Sequence, residues 1–261
     1  MFKENNKNGL IYMSSDKIGA MHAFTTRHGG VSTGYLGTMN IGTHRGDLWE
    51  NVLKNYEILA DALDFDPQNA VLSHQTHTDI VVPVDDSHRG AGLYAPELSA
   101  CDGLITNTPG VALVVFTADC TPILLHDPVT GAVGAVHAGW RGTAAAIAQK
   151  AVEAMVQNYG CEPENIRAAI GPNIKQCCFE TDWDVPKSML DALGDAARPY
   201  IAQKGEKYYL DLTGINAEFL RRAGVTQIET ASDCTRCNPE TYWSARITGN
   251  HRGSQGAIIV R

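Results

Sequence analysis

Phe116-Thr-Ala-Asp-Cys-Thr-Pro-Ile-Leu-Leu-His-Asp-Pro-Val-Thr-Gly-Ala-Val-Gly-Ala-Val-His-Ala-Gly-Trp-Arg-Gly142 reads as a β-hairpin. Two apolar runs flank Asp127-Pro128-Val129-Thr130-Gly131, a cluster of turn-forming residues. Folding the ladder about that turn sets residues opposite one another when their numbers sum to about 258, which places Cys120 across from His137 or Ala138. Directly opposed side chains have Cβ atoms roughly 4.5–5.5 Å apart. A thiol and an imidazole therefore meet beside Asp119, ahead of a Gly-Trp-Arg-Gly loop that opens a helix. The pair is the start of either a metal site or a Cys–His catalytic pair.

The rest of the chain frames that hairpin. It has 261 residues, 44% hydrophobic and 19% charged, as expected of a globular protein. A net charge of −8 gives no basic footprint for nucleic acid. No apolar run reaches the roughly 18 residues needed to cross a membrane. The first residues, Met-Phe-Lys-Glu-Asn-Asn-Lys-Asn-Gly, carry no apolar signal-peptide core. Seven irregularly spaced cysteines then read as reduced thiols in the cytoplasm. With no repeat or linker, residues 1–261 are expected to form one domain.

Strands are predicted at 20–26, 70–73, 79–84, 104–106, 112–117, 122–126, 132–137, 166–170, 227–231, 242–247 and 256–260. Asp47, with Glu50 three residues on, has the pattern of a capping box, and Val52, Tyr56, Leu59 and Leu63 follow at helical spacing. Further helices are predicted from Thr143 to Tyr159, near 183–193 and near 213–223. Hairpins alternate with isolated helices, which argues for an α+β fold with mixed sheets.

Three more features bear on chemistry. Ser73-His74-Gln75-Thr76-His77-Thr78 offers a third ligand, His74 or His77, to join Cys120 and His137. Two imidazoles and a thiolate with an open fourth position is a catalytic zinc pattern, and it also suits copper. His137-Ala-Gly-Trp-Arg-Gly-Thr143 and Arg27-His-Gly-Gly30 each pair an arginine with a glycine loop, a combination suited to phosphate. Cys234-x-x-Cys237 lacks a second half and reads as free thiols, and Cys177-Cys178 reads as packing. His22, His44, His88, His126 and His251 have no partner legible in the sequence.

These residues resemble one family closely. Thr25-Thr-Arg-His-Gly-Gly-Val-Ser32, Met39-Asn-Ile-Gly42, Gln75-Thr-His77, Thr117-Ala-Asp-Cys120, Val136-His-Ala-Gly-Trp-Arg-Gly142, Gly171-Pro-Asn-Ile174 with Phe179-Glu180, and Asp233-Cys-Thr235 are similar to segments of the laccase-domain, or YfiH, family. Its members were long described as polyphenol oxidases and are now described as purine nucleoside phosphorylases. The resemblance runs from about residue 20 to the end. It implies an α/β/β/α layered sandwich of mixed sheets, shared with toxins that carry a Cys–His pair. It also implies a metal held by His77, Cys120 and His137, zinc or copper. The implied activity is phosphorolysis of adenosine, inosine, guanosine and methylthioadenosine to free base and ribose 1-phosphate, with adenosine deamination beside it. The partners are then a purine nucleoside and phosphate.

Around that metal, Asp119 and Glu180 are the candidate proton carriers. Arg27, Asn40, Gln75 and Arg141 are the candidate substrate contacts. Zinc deaminases of the His-x-Glu and Pro-Cys-x-x-Cys type do not match this chain. Two rival chemistries use the same residues. A multicopper oxidase would need many imidazoles, and the chain has nine histidines and no His-x-His. A metal-free hydrolase would use Cys120 as nucleophile and His137 as base. A partner-docking role for the helical stretches 48–63 and 143–159 has no feature in the sequence to favour it.

Overall fold

The computed structural model describes residues 1–261. Its centre is the predicted hairpin, Thr121–His126 against Val133–Ala138, antiparallel and buried along both strands. Burial on both faces explains why these strands read as nearly continuous apolar runs instead of alternating ones. The register is one residue off the expectation: Pro122 faces His137 and Thr121 faces Ala138. The turn causes the slip. Gly131, at φ 74°, donates to the Asp127 carbonyl, Asp127 donates back to Ala132, and the Asp127 carboxylate accepts from the Val129 amide. Cys120 therefore stands just before the ladder, at the level of Gly139.

Two six-stranded mixed sheets pack face to face. The first runs in the order Phe2–Lys7, Leu10–Ser15, His22–Thr25, Gln255–Val260, Ala112–Thr117, Ala70–Leu72. The second runs Gln227–Thr230, Arg167–Ile170, Thr121–His126, Val133–Ala138, Gly103–Thr106, Val81–Pro83. Each sheet carries parallel and antiparallel pairs. Between them lie Phe24, Val71, Leu113 and Val115 from one sheet and Leu104, Leu124, Val133 and Ala135 from the other.

Helix Trp49–Leu63 covers the outer face of the first sheet through Val52, Tyr56, Leu59 and Leu63. Helices Ile147–Tyr159 and Leu212–Arg222 cover the outer face of the second through Ile147, Met155 and Phe219, and helix Asp184–Leu193 joins the same apolar core through Met189. The layers are α/β/β/α, as the family resemblance implies. A smaller sheet, Glu180–Thr181, Lys207–Leu210 and Ile201–Lys204, lies apart from the two large ones.

Several elements differ from the sequence reading. The N-terminal hairpin Phe2–Ser15 was not predicted, although Asn8-Gly9, both at positive φ, is a strong two-residue hairpin turn. Residues 242–247 form no strand. The Gln255 side chain accepts from the Trp243 amide at 2.8 Å and donates to its carbonyl at 3.2 Å, supplying both bonds a neighbouring strand would. A short helix, Ala245–Thr248, follows.

Asp47 does not cap helix Trp49–Leu63; Leu48 is the capping position. Its carboxylate instead gathers Ser32, Asn40, Asn51 and the Leu48 amide. The predicted helix at 143–159 is two helices, Trp140–Ala144 and Ile147–Tyr159, separated by Ala146 at φ 60°. Nothing between Thr143 and Ile147 is a helix breaker. The break lies where Thr143 Oγ1 accepts a bond from buried Asn216, so tertiary docking overrides local propensity.

Candidate active site

The turn Ala118–Cys120 joins one sheet to the other, and it is held rigidly. Asp119 sits at φ 93°, a strained conformation for a residue with a side chain. Three donors fix its carboxylate: Thr235 Oγ1 at 2.6 Å, Ser244 Oγ at 3.0 Å and the Arg246 amide at 2.7 Å. The Ile174 amide donates to the Asp119 carbonyl at 2.9 Å. Asp119 is thereby a positioning residue that aims Cys120, with its oxygens committed elsewhere.

His77 arrives from the loop that follows strand Ala70–Leu72, also at positive φ, 62°. The loop is tied down at both ends. Gln75 accepts from the Phe116 amide at 2.6 Å and donates to its carbonyl at 2.8 Å. The amides of Thr76, His77 and Thr78 and the Thr78 hydroxyl all donate to the buried carboxylate of Asp102. Asp102 Oδ1 also lies 2.7 Å from His137 Nδ1. That bond leaves His137 Nε2 for the site, the arrangement found when a carboxylate orients a metal-binding imidazole.

The ligand atoms of His77, Cys120 and His137 all lie within 4.8 Å of one another. Cys120 Sγ is 3.9 Å from His77 Nε2, and the two imidazole rings meet edge to face with centroids 5.0 Å apart. Gly139 permits this crowding, since a Cβ there would stand 2.8 Å from the His77 ring and 3.5 Å from Cys120 Sγ. The donor set, one thiolate and two imidazoles converging from three segments, fits a single ion with room for a further ligand. Of the two histidines left open by spacing, His77 is at the cluster, while His74 turns its Nδ1 to the Leu98 carbonyl at 3.1 Å.

Burial disfavours charge at Cys120, His137 and Asp102, yet their contacts win. Burial raises the Cys120 thiol, but His137 foremost and then His77 draw it down to about 6. Burial lowers His137, but the Cys120 sulfur and the bond to Asp102 push it up to about 9. Burial raises Asp102, but the bond with His137, its charge and the Thr78 donors hold it at about 2. The thiol is thus prepared as a thiolate, the form that binds metals and attacks electrophiles.

The cluster forms part of the wall of a cleft of about 290 Å³. Two arginines that sequence reasoning missed, Arg45 and Arg252, line the same cleft. Arg45 Nε donates to Ser254 Oγ at 3.1 Å, and Arg252 Nε is buried without a partner. Burial and the charge of Arg45 lower Arg252 to about 10, and Asp119 and Cys120 act in the opposite sense. His44, His74 and Glu97 also line the cleft, with Glu97 bonded to His44 and 3.9 Å from His74 Nδ1.

The remaining sequence candidates stand elsewhere. Arg27 lines a separate cleft and donates to the Pro239 and Gly37 carbonyls at 2.8 and 3.4 Å. Asn40 is fully buried among Gly42, Asp47 and Ser254. Exposed Arg141 lies over its neighbour Trp140 at 4.3 Å, on a helix of only five residues. Glu180 accepts from the Tyr209 hydroxyl and does not line the cleft. Gln75 lines the cleft, but its amide is spent on the backbone of Phe116. Asp102 carries no motif of its own in the sequence; the available signal is a carboxylate just before strand Gly103–Thr106, which pairs with the strand of His137.

A family model described as multi-copper polyphenol oxidoreductase laccase matches residues 21–261. The chain belongs to that family. It is 36% identical over 239 residues to purine nucleoside phosphorylase YlmD of Bacillus subtilis, covering 89% of this chain and 83% of the relative. It is 34% identical over 251 residues to adenosine deaminase RL5 of an unknown prokaryotic organism, covering 94% and 95%. The crystal structure of YlmD from Geobacillus stearothermophilus superposes with a TM-score of 0.94 at 34% identity, covering 100% of this chain and 98% of that one. The family's fold is therefore this chain's fold, and the cleft described above is its candidate catalytic centre.

Proposed function

We propose that this chain is a zinc-dependent purine nucleoside phosphorylase that acts on adenosine, inosine, guanosine and methylthioadenosine and also deaminates adenosine. The observation that carries the reading is a thiolate and two imidazoles converging in one cleft with two guanidiniums. The names of the relatives supply the substrate class. Zinc, when held by His77, Cys120 and His137, supplies a Lewis acid able to polarise a substrate group.

The chain's own residues do the rest. Arg252 and Arg45 hold phosphate, replacing Arg27 and Arg141 in that role. Phosphate oxygen bonds to the ribose carbon as the carbon–nitrogen bond to the base breaks, and the electron pair leaves with the purine. A proton must reach the departing base, and its delivery is assigned to the His44–Glu97 pair, which lines the cleft. Asp119 and Glu180 are committed to other partners. Asp102 holds Nδ1 of His137 so that its Nε2 stays directed at the site.

A copper polyphenol oxidase is the rival that the family description names. The cleft gathers only two imidazoles around the thiol, with His44 and His74 turned to Glu97 and Leu98, which is a poor set for several coppers. A metal-free Cys120–His137 hydrolase is the other rival, and the lowered thiol suits it. Zinc-loaded protein given adenosine should release adenine and ribose 1-phosphate only with phosphate present, and inosine without it. Chelation should abolish both activities, and zinc should restore them. Absence of base release with zinc and phosphate both supplied rejects the phosphorylase reading. Tightly bound copper with phenol oxidation would favour the oxidase. Undiminished alkylation of Cys120 in zinc-replete protein would favour the hydrolase.

A further inference from the structure

Cys177-Cys178 and Cys234-x-x-Cys237, which looked unrelated in the sequence, meet in space. Their four sulfurs all lie within 4.8 Å of one another. Cys177 Sγ is 3.6 Å from Cys178 Sγ and 3.7 Å from Cys237 Sγ, and Cys178 Sγ is 3.4 Å from Cys237 Sγ. A zinc tetrathiolate with bonds of about 2.3 Å has sulfur–sulfur edges of about 3.8 Å. The three edges among Cys177, Cys178 and Cys237 are close to that value, and Cys234 Sγ, within 4.8 Å of each, supplies the fourth corner.

The surroundings also suit such an ion. Two turns present the thiols, tied by a parallel bridge between Asn173 and Cys234 and by the Thr235 amide bonding the Asn173 carbonyl at 3.2 Å. The Lys175 amide donates to Cys234 Sγ at 3.4 Å, and Arg236 Nη1 donates to Cys178 Sγ at 3.5 Å. Amide and guanidinium donors of this kind offset the negative charge of metal-bound sulfur. Cys178 and Cys234 are buried, while Cys177 and Cys237 are exposed and give an ion its entry.

We propose that Cys177, Cys178, Cys234 and Cys237 bind a second zinc ion, structural and separate from the cleft. Its place gives it a task. The two turns it joins are those that seat Asp119, through the Ile174 amide and Thr235 Oγ1. The ion is a clasp behind the Cys120 turn, and all four of its coordination positions are filled by protein, which leaves none for substrate.

The test uses the full-length protein with His77→Ala, which disables the cleft ligands and isolates the second site. After zinc loading and desalting, the His77→Ala protein should retain one zinc per chain, and adding Cys177→Ser and Cys237→Ser should remove it. Because those two side chains are exposed, circular dichroism should show the fold retained. Cobalt(II) in the His77→Ala protein should give the intense visible absorption of a tetrahedral tetrathiolate, lost with the two serines. No zinc in the His77→Ala protein, or zinc that survives both serines, overturns the proposal. An intact mass of freshly purified protein lower by two or four hydrogens would also overturn it, since the sulfurs would then be disulfides.

Discussion

His137 Nδ1 lies 2.7 Å from Asp102 Oδ1, with the two side chains 3% and 0% exposed. One carboxylate thereby fixes an imidazole on one strand and three successive residues of the loop that carries His77. Two of the three candidate ligands thus share a single buried anchor.

Asp102→Asn keeps the shape but removes the charge and turns one acceptor into a donor. Outer-shell changes of this kind typically cost about 10–100-fold in metal affinity or activity. We expect zinc affinity, measured by competition with a chromophoric chelator, to fall by that amount. An unchanged affinity would show that the Asp102–His137 bond does not orient the ligand.

Gly139→Ala places a methyl group 2.8 Å from the His77 ring. The His77 ring must move, and a displacement of about 1 Å at a reacting centre costs about 100-fold in rate. The expected result is a melting temperature close to that of the parent with phosphorolysis reduced by about that factor. Full activity in this variant would mean that His77 is free to sit elsewhere.

Arg252→Met and Arg45→Met each remove one guanidinium from the cleft. A hydrogen bond to a charged group is worth about 1.5–3 kcal/mol, or roughly 10–100-fold. The KM for phosphate should rise by that factor in each variant, while the KM for nucleoside changes less. A rise confined to the nucleoside would move the phosphate site away from these arginines.

Asp47 makes the pH prediction. Burial raises its carboxyl, but donors from Ser32, Asn40, Asn51 and Leu48 outweigh burial and lower it below the ordinary carboxylate value. A lowered native value means that the unfolded chain binds the proton more readily, so the stability gained is present above the unfolded value of about 4 and is lost as pH falls through the native one. Asp47→Asn should flatten the acid limb of a stability-against-pH curve obtained by urea denaturation, lowering stability at neutral pH by about 1 kcal/mol or more. An acid limb as steep as the parent's would assign it to other carboxylates.

The sequence by itself determined the hairpin, the α+β class with mixed sheets and the candidate pair Cys120 and His137, while the layered arrangement and His77 over His74 came from the resemblance to the family. Their signals are local: turn chemistry at Asp127–Gly131, apolar runs on either side, and motifs that keep their residue types together. The tertiary structure alone decided what those residues work with. Arg45 and Arg252 reach the cleft, and Asp102 reaches His137 and the His77 loop behind it, across long separations, from stretches whose periodicity says nothing of a site. The same holds for Cys177 and Cys178, which meet Cys234 and Cys237 only because two turns pack against the Asp119 segment. Arg27, Asn40 and Arg141 illustrate the converse. Each has the right chemistry in sequence, but a side chain's role depends on which carbonyls, rings and cavities the packed layers place within its reach, and that is settled only when the sheets close on one another.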